Sequence, residues 1–305
     1  MPEIFSVSTV AAQLNRLRRF PLTRDQIVLL LVAMNEFFLG LDTYLAHNIS
    51  GTIRPNEWIP ILFGPIAGVL LLLAGLLALK YRSVASTTAT VVLLASIVVG
   101  LLGAYFHGLR GTAPTAPPGQ RISIDLLVWA PPVLGPLMFS LVGLLGISAA
   151  WIEEPPGSGR LRLPGGWRLQ LPYSKTRAFY FVTTVGILVA LVSSVLDHAR
   201  AGFENPAVWI PLAAGIFGVI AAFGLGVMDR PGGADKLTYI FAMLLLILVG
   251  VAGAWLHVQA NLTARSTFVP ERFLRGAPVL GPLLFANMGV LGLISMLELH
   301  KTSDG

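Results

Sequence analysis

Eight stretches of about 20 predominantly apolar residues recur along the 305-residue chain, and they constrain its fold more than any other feature. A stretch of this length and composition is what an α-helix needs to cross the hydrocarbon core of a bilayer. The apolar residues are continuous and do not alternate with polar ones, which excludes a membrane β-barrel. The pattern predicts an all-α integral membrane protein with eight transmembrane helices, at residues 27–46, 58–79, 86–106, 126–150, 178–196, 208–228, 237–256 and 276–297.

Charged residues are scarce. Asp, Glu, Lys and Arg make up 12% of the chain, about half the share in a soluble globular protein, and the mean hydropathy is +0.76. This composition excludes a soluble enzyme, a disordered chain and a nucleic-acid binder, and it makes the lipid bilayer a partner of the protein. The absence of cysteine excludes structural disulfides, cysteine-ligated zinc, iron–sulfur clusters and thioether-attached haem.

The distribution of basic residues predicts the orientation. With an inner N-terminus, 14 of the 21 basic residues lie on the inner side, among them every lysine. Cytoplasmic loops are enriched in Lys and Arg, so we expect both termini in the cytoplasm of a bacterial cell and the protein in its cytoplasmic membrane. The inner set is Arg16, Arg18, Arg19, Arg24, Lys80, Arg82, Arg160, Arg162, Arg168, Lys175, Arg177, Arg230, Lys236 and Lys301. The outer set is Arg54, Arg110, Arg121, Arg200, Arg265, Arg272 and Arg275.

Three blocks of sequence recur in the same order in the two halves of the chain. The pattern His-x3-Gly-x3-Pro-x2-Trp-Ile-Pro occupies residues 47–60 and recurs 151 positions later, at 198–211. The other two blocks are Gly-Ala-Tyr/Trp-Phe/Leu-His at 103–107 and 253–257, and Pro-Val-Leu-Gly-Pro-Leu at 132–137 and 278–283. The nearly constant spacing indicates an internal duplication.

The duplication predicts the domain organisation. Each half contributes four spans, and an even number leaves both copies in the same orientation, related by a pseudo-twofold axis along the membrane normal. We therefore expect a cytoplasmic basic arm (1–25), a first four-helix repeat (26–150), a cytoplasmic linker rich in Pro, Gly and Arg (151–177), a second four-helix repeat (178–298) and a cytoplasmic tail (299–305).

Four histidines stand at the outer ends of the four outward-running spans: His47, His107, His198 and His257. Histidine is a common metal ligand and binds haem iron through a ring nitrogen. Alternate helices of a four-helix bundle face each other across its core. The pairs His47–His107 and His198–His257 could therefore each hold one b-type haem, or all four could bind one copper or zinc ion. The alternative is structural, since a histidine also caps the carbonyls at a helix C-terminus.

Other repeated residues accompany the histidines at the same outer face. The aromatic residues suit the membrane interface, and prolines are favoured at helix starts. Pro136 and Pro282 lie one turn further into their spans, where a kink that opens space for a ligand is expected. The supporting residues are Trp58, Pro60, Tyr105, Pro132, Pro136, Trp209, Pro211, Trp255, Pro278 and Pro282.

Two acids, Glu36 and Asp42, are the charged residues within the predicted spans. Acids inside a membrane are costly and mark functional sites or polar contacts. Their counterparts in the second half are Ile187 and Ser193, so they are not part of the duplicated pattern. We predict a proton relay specific to the first half, or a polar contact between bundles. Asp197 is a candidate to orient His198.

These features predict a polytopic membrane subunit with a His-lined haem or metal site, of redox function, at the outer face. The alternatives are a non-catalytic membrane anchor that docks an outer-side protein or belongs to a larger membrane complex, and a small-solute transporter. The sequence has no nucleotide-binding loop, no zinc-protease helix motif and no nucleophile elbow, so no enzymatic reaction is identified.

Overall fold

The computed structural model describes residues 22–49, 51–113, 115–262 and 267–297, and most of these residues are helical. The predicted tail and most of the predicted arm lie outside the described residues. In chain order the helices are α1 (Arg24–Ile49), α2 (Trp58–Leu77), α3 (Arg82–Arg110), α4 (Ile124–Trp129), α5 (Leu134–Ala150), α6 (Lys175–Ala199), α7 (Trp209–Val227), α8 (Gly233–Asn261), α9 (Pro270–Arg275) and α10 (Leu280–Ser295).

Within the described residues, six helical segments are long and apolar enough to cross a membrane. They comprise α1, α2, α3, α6, α7 and α8, with the 3₁₀ turns Pro55–Glu57 and Pro206–Val208 leading into α2 and α7. Each coincides with one predicted span. The structure thus has several helices of membrane-spanning length and composition, as expected of an integral membrane protein.

The predicted spans 126–150 and 276–297 are not single long helices. The first span covers two helices, most of the six-residue α4 and the 17-residue α5, whereas the second contains the 16-residue α10 and starts just after the six-residue α9 has ended. The break in the first is explained by two consecutive prolines, because a residue before proline is excluded from the helical region. Ala130, which precedes Pro131, is accordingly extended, with φ −72° and ψ 167°. The structure therefore confirms six long apolar helices and does not confirm eight spans.

The four main helices of the first half (residues 22–150) pack as a closed ring. Helix α1 contacts α2, α2 contacts α3, α3 contacts α5 and α5 returns to α1. In the second half (residues 175–297), α6, α7, α8 and α10 make the same sequence of contacts. The rings meet where α5 packs on α6 and α10 packs on α1.

Matched glycines allow close approach of the third and fourth helices of each ring. A side chain at Gly143 on α5 would collide with the carbonyl oxygen of Leu93 on α3, and one at Gly289 on α10 with that of Met243 on α8. Such contacts between small residues and a facing backbone are a usual way for membrane helices to pack.

A buried ionic contact joins the two halves at the ends where α1 and α6 begin. Lys175 is 1% exposed, and its Nζ donates to Asp25 Oδ2 at 2.6 Å and to the carbonyl oxygen of Trp151 at 2.6 Å. In return, Arg24 donates to Thr176 Oγ1 at 2.7 Å. Lys175 and Thr176 follow Arg24 and Asp25 by 151 positions, which is the spacing of the first repeated block. Arg24 and Asp25, at the end of the predicted arm, thus lie within α1.

The linker between the halves contains a small antiparallel sheet that the sequence pattern does not predict. Its strands are β1 (Ile152–Glu153), β2 (Arg160–Arg162) and β3 (Arg168–Gln170), paired in the order β1-β2-β3. The buried carboxylate of Glu153 accepts hydrogen bonds from the backbone N–H groups of Gly157, Gly159 and Lys175. The sheet is thereby fixed to the start of α6.

Candidate functional site

The four histidines lie at one end of the molecule, which we term the histidine end. Helices α1 and α6 begin side by side at the Lys175–Asp25 contact, and His47 and His198 stand in the last turns of these helices, away from that contact. The opposite end is termed the linker end. All four imidazoles are half-buried.

The histidines form two pairs, one in each half. The ring centroids of His47 and His107 are 6.0 Å apart, and those of His198 and His257 are 6.3 Å apart. Each pair joins the first and third helices of its ring, which lie diagonally across the bundle. The pairing within each half is the arrangement that the sequence predicts.

Backbone carbonyls fix the tautomer of three of these rings. His107 Nδ1 lies 2.9 Å from the carbonyl oxygen of Pro132, and His257 Nδ1 lies 2.8 Å from that of Pro278. His47 Nδ1 lies 2.8 Å from the carbonyl oxygen of Thr43. A carbonyl only accepts, so each Nδ1 carries the proton and donates it. In the neutral ring the lone pair is then on Nε2, the arrangement in which histidine ligates metals.

Two of these three bonds connect the second repeated block to the third, one in each half of the chain. Each of these bonds ties the histidine of the second block to the first proline of the third block, in the first half by His107 and Pro132 and in the second by His257 and Pro278. The bond accounts for the histidine, whereas the proline contributes only a backbone carbonyl, which any residue type could supply.

A cleft of about 140 Å³ opens beside the first pair. Its wall is mostly apolar, with Leu39, Ile59, Phe106 and Phe139 among its lining residues, while polar groups surround His47 and His107. The remaining lining residues are Asp42, Thr43, Ala46, Asn56, Glu57, Pro60, Val99, Leu102, Gly103, Arg110, Pro132, Gly135 and Pro136. Members of all three repeated blocks therefore line one cleft.

Three charged side chains line this cleft: Asp42, Glu57 and Arg110. Glu57 is 7% exposed; its Oε1 accepts from Arg110 at 3.2 Å and its Oε2 accepts from the backbone N–H of Arg54 at 2.8 Å. Acidic side chains thus outnumber the one basic side chain in this lining by two to one. This suits a cationic ligand.

The sequence pattern marks Arg110 only as an outer basic residue and does not mark Glu57. Their counterparts in the second half are Val208 and Ala260, so they lie outside the matched blocks. A usable signal was present, because both are charged residues that occur in one half only. Sequence alone, however, does not bring residues 57 and 110 to hydrogen-bonding distance.

The prolines of the repeated blocks lie at helix starts. Pro60 and Pro211 are the third residues of α2 and α7, and Pro136 and Pro282 are the third residues of α5 and α10. In the first turn of a helix the missing N–H has no intrahelical partner to lose. Because α5 and α10 begin later than the predicted spans, Pro136 and Pro282 lie in the first helical turn and interrupt no backbone hydrogen bond. The reason for expecting a kink at these two prolines is therefore removed.

The supporting aromatic residues point away from the bundle. Trp58, Tyr105, Trp209 and Trp255 are between 39% and 62% exposed, and none of them lines the cleft. Their amphipathic rings suit the level of the lipid headgroups.

Glu36 lies beneath the floor of the cleft. It is fully buried, and Ser96 Oγ lies 2.5 Å from its Oε1 and 2.8 Å from the carbonyl oxygen of Phe139, a residue of the cleft lining. Its second oxygen, Oε2, has no hydrogen-bond partner among the described residues. The counterparts of Glu36 and Ser96 in the second half are Ile187 and Leu246, so this polar pair also belongs to the first half alone.

The second histidine pair has a less polar setting. Asp42 has its counterpart in Ser193, and the His198 ring makes no hydrogen bond to a described residue. The carboxylate of Asp197 lies 3.8 Å from Arg200 NH1. Asp197 is thus engaged with Arg200 beside the histidine that it was expected to orient.

The described residues contain no group of three or more His, Asp or Glu side chains close enough to hold one metal ion. The four histidines are therefore separated into two pairs and do not form one four-nitrogen cluster. Any ion bound by a pair would take its remaining ligands from water or from a partner.

No family model matches this chain, and no curated protein and no solved structure is significantly similar to it.

Proposed function

We propose that the chain is an eight-span membrane protein made of two tandem four-helix repeats, in which the first repeat holds a functional metal site and the second is a structural copy. The identical order of helix contacts in the two rings supports the duplication. So do the matched His–Pro bonds and the reciprocal contacts of Arg24 and Lys175.

In this proposal α5 and α10 are the fourth spans of their repeats. A helix of 17 residues rises about 26 Å, slightly less than the ~30 Å hydrocarbon core. The preceding helices α4 and α9 would complete the crossing at the interface, and at the break after α4 the carbonyl groups of Val128 and Ala130 accept hydrogen bonds from Arg200. The repeats are related by a pseudo-twofold axis along the membrane normal.

The ligand that best fits the first-half cleft is a transition-metal ion, with copper or zinc preferred by imidazole. Nε2 of His47 and of His107 would supply the two nitrogen ligands, and the excess of acidic over basic side chains in the lining favours a cation. The single observation that carries this assignment is the fixing of both Nδ1 protons by backbone carbonyls, at 2.8 and 2.9 Å.

A b-type haem fits the cleft poorly. Pockets that enclose organic ligands of drug size usually have volumes of about 300–1,000 Å³. The cleft has about 140 Å³, which suffices for an ion and a few waters. We therefore assign the pair to a metal ion that is passed to, or exchanges electrons with, a partner at this face.

Glu36 would serve this site as a proton acceptor and donor. The Ser96 hydroxyl has one proton, and when it donates to the Phe139 carbonyl, the short contact with Glu36 requires the carboxyl to donate in turn. A neutral Glu36 also avoids the large cost of an unpaired buried carboxylate. Release of its proton would offset the charge of a cation entering the cleft above it, with Asp42 at the edge of the cleft as the exchange point with solvent.

Metal content and the visible spectrum of the purified protein test the assignment. Protein prepared without chelators should contain about one copper or zinc ion per chain and show no haem absorption bands. A stoichiometric haem would reject the metal assignment, and protein without either haem or metal, even after incubation with copper and zinc salts, would reject a ligand role for the histidines.

The proposed orientation puts both termini in the cytoplasm and the histidine end outside, in keeping with the excess of basic residues at the linker end. A reporter enzyme that is active only outside the cytoplasmic membrane, fused after Gly305, should be inactive. The same reporter inserted after Gln120, between α3 and α4, should be active. The opposite pattern would reverse the assignment of the two faces.

A further inference from the structure

The linker sheet has a basic face. In an antiparallel sheet, side chains two residues apart on a strand, and directly opposite across strands, lie on the same face. Arg160 and Arg162 are two apart on β2, and Arg168 is directly opposite Arg162 on β3. All three arginines are exposed, whereas Leu161, between them, is 3% exposed and points into the protein.

The basic face carries uncompensated charge. Arg162 contacts Glu154 at 3.4 Å, with both side chains more than half exposed. Arg160 and Arg168 have no acidic partner among the described residues. Arg168 lies directly opposite Arg162, and like charges in this position repel, so an anion bound between them would stabilise the pair.

The sheet lies beside the end of the membrane-crossing helices. Strand β1 begins two residues after α5 ends, and β3 ends five residues before α6, a helix of membrane-spanning length, begins. The turn Pro164–Gly166 between β2 and β3 packs on α3. Next to this turn, Trp167 is 76% exposed, and tryptophan is enriched at the level of the lipid headgroups.

We propose that Arg160, Arg162 and Arg168 bind the headgroups of anionic phospholipids in the leaflet at the linker end, with Trp167 inserted beside them. Guanidinium groups bind phosphate through paired N–H donors, which matches the chemistry of a phosphodiester headgroup. These lipid contacts would hold the linker, and with it the start of α6, at the membrane surface. They are independent of the metal site at the histidine end.

The test uses the full-length protein in neutral detergent, titrated with short-chain phosphatidylglycerol or, for the neutral headgroup, phosphatidylcholine. Native mass spectrometry counts the lipid molecules retained. Each arginine near an anionic surface contributes about a factor of five in affinity, so Arg160→Gln with Arg168→Gln should weaken phosphatidylglycerol binding about 30-fold. Phosphatidylcholine binding should not change.

The matched control is Arg230→Gln with Lys236→Gln, which removes two exposed charges elsewhere at the linker end, one from the loop before α8 and one from its first turn. This variant should retain wild-type affinity for phosphatidylglycerol. An equal loss in both double variants would show that only the net charge of the protein matters and would overturn the proposal. So would the absence of a preference for phosphatidylglycerol in the wild type, or its complete displacement by millimolar inorganic phosphate, which would indicate a site for a soluble anion.

Discussion

The two halves of the molecule each place a histidine pair at the histidine end, but the charged residues beside the two pairs differ. His47 and His107 border a cleft with three charged side chains and lie above the buried pair Glu36–Ser96. The counterparts of these five polar residues in the second half are Ser193, Val208, Ala260, Ile187 and Leu246. The two halves therefore share the order of their helix contacts but not the polar residues beside their histidine pairs.

The two halves pack their helices through matching hydrogen bonds and matching glycine contacts. The bonds from His107 to Pro132 and from His257 to Pro278 join the same elements, and Gly143 and Gly289 make the same close approach to a facing helix. A histidine in this position has a structural role in either half. In the first half the charged side chains of the cleft lie beside this histidine, and the proposed ligand-binding role depends on them.

The largest difference between the halves is expected in metal affinity, when His107 on α3 or His257 on α8 is replaced. His107→Ala removes one of two nitrogen ligands, and it should weaken copper or zinc binding more than about 100-fold, beyond the effect of losing a hydrogen-bonded supporting residue. His257→Ala should leave metal affinity unchanged and lower stability by about 1 kcal/mol through its lost hydrogen bond. Competition titration with a chelating dye measures the affinities, and equal losses in the two variants would remove the distinction between the halves.

The shared packing should respond equally in both halves. Gly143→Val and Gly289→Val each force a side chain against a helix backbone, and each should lower the free energy of unfolding by about 1–3 kcal/mol. Thermal unfolding in detergent provides the comparison. If one substitution were tolerated and the other not, the two rings would not be packed alike and the duplicated scaffold would lose its main support.

Glu57 should matter through its charge. Glu57→Gln removes the carboxylate that contacts Arg110, leaves that guanidinium unpaired beside the cleft, and should weaken metal binding about tenfold. Glu204→Gln is the matched control, because Glu204 is an exposed acid two residues before the corresponding 3₁₀ turn of the second half. The control should bind metal like the wild type; a parallel loss there would point to a general effect of surface charge.

The smallest effect on stability is expected at Glu36. If its carboxyl is neutral, Glu36→Gln is nearly isosteric and should change the free energy of unfolding by less than about 1 kcal/mol. Its effect should appear in the protons released when metal binds, measured with a pH dye in weak buffer. The variant should release about one proton fewer than the wild type, and identical proton release would assign Glu36 to packing alone.

The sequence predicts the helical scaffold better than it predicts the candidate site. Continuous apolar runs identify the long helices, and repeated blocks identify the histidine pairs, because both depend on local pattern. The breaks that precede α5 and α10 depend on Pro131 and on the late start of these helices, which periodicity does not reveal. The contacts of Glu57 with Arg110 and of Lys175 with Asp25 join residues 53 and 150 positions apart, and only the packed bundle brings them together.

The structure of the linker also could not be predicted from the sequence. Its Pro, Gly and Arg content suggests an irregular cytoplasmic segment, yet residues 152–170 contain a three-stranded sheet. The strands have two or three residues each, too few for an alternating pattern to be recognised. The buried hydrogen bonds of Glu153 stabilise this sheet, and they have no sequence signature.

Metal stoichiometry in two double variants tests the central claim most directly. Wild-type protein should bind one equivalent of copper or zinc with high affinity. His47→Ala with His107→Ala should abolish this binding, whereas His198→Ala with His257→Ala should retain one equivalent at wild-type affinity. Two equivalents in the wild type, with one lost in each double variant, would show that both halves carry working sites and would contradict the account.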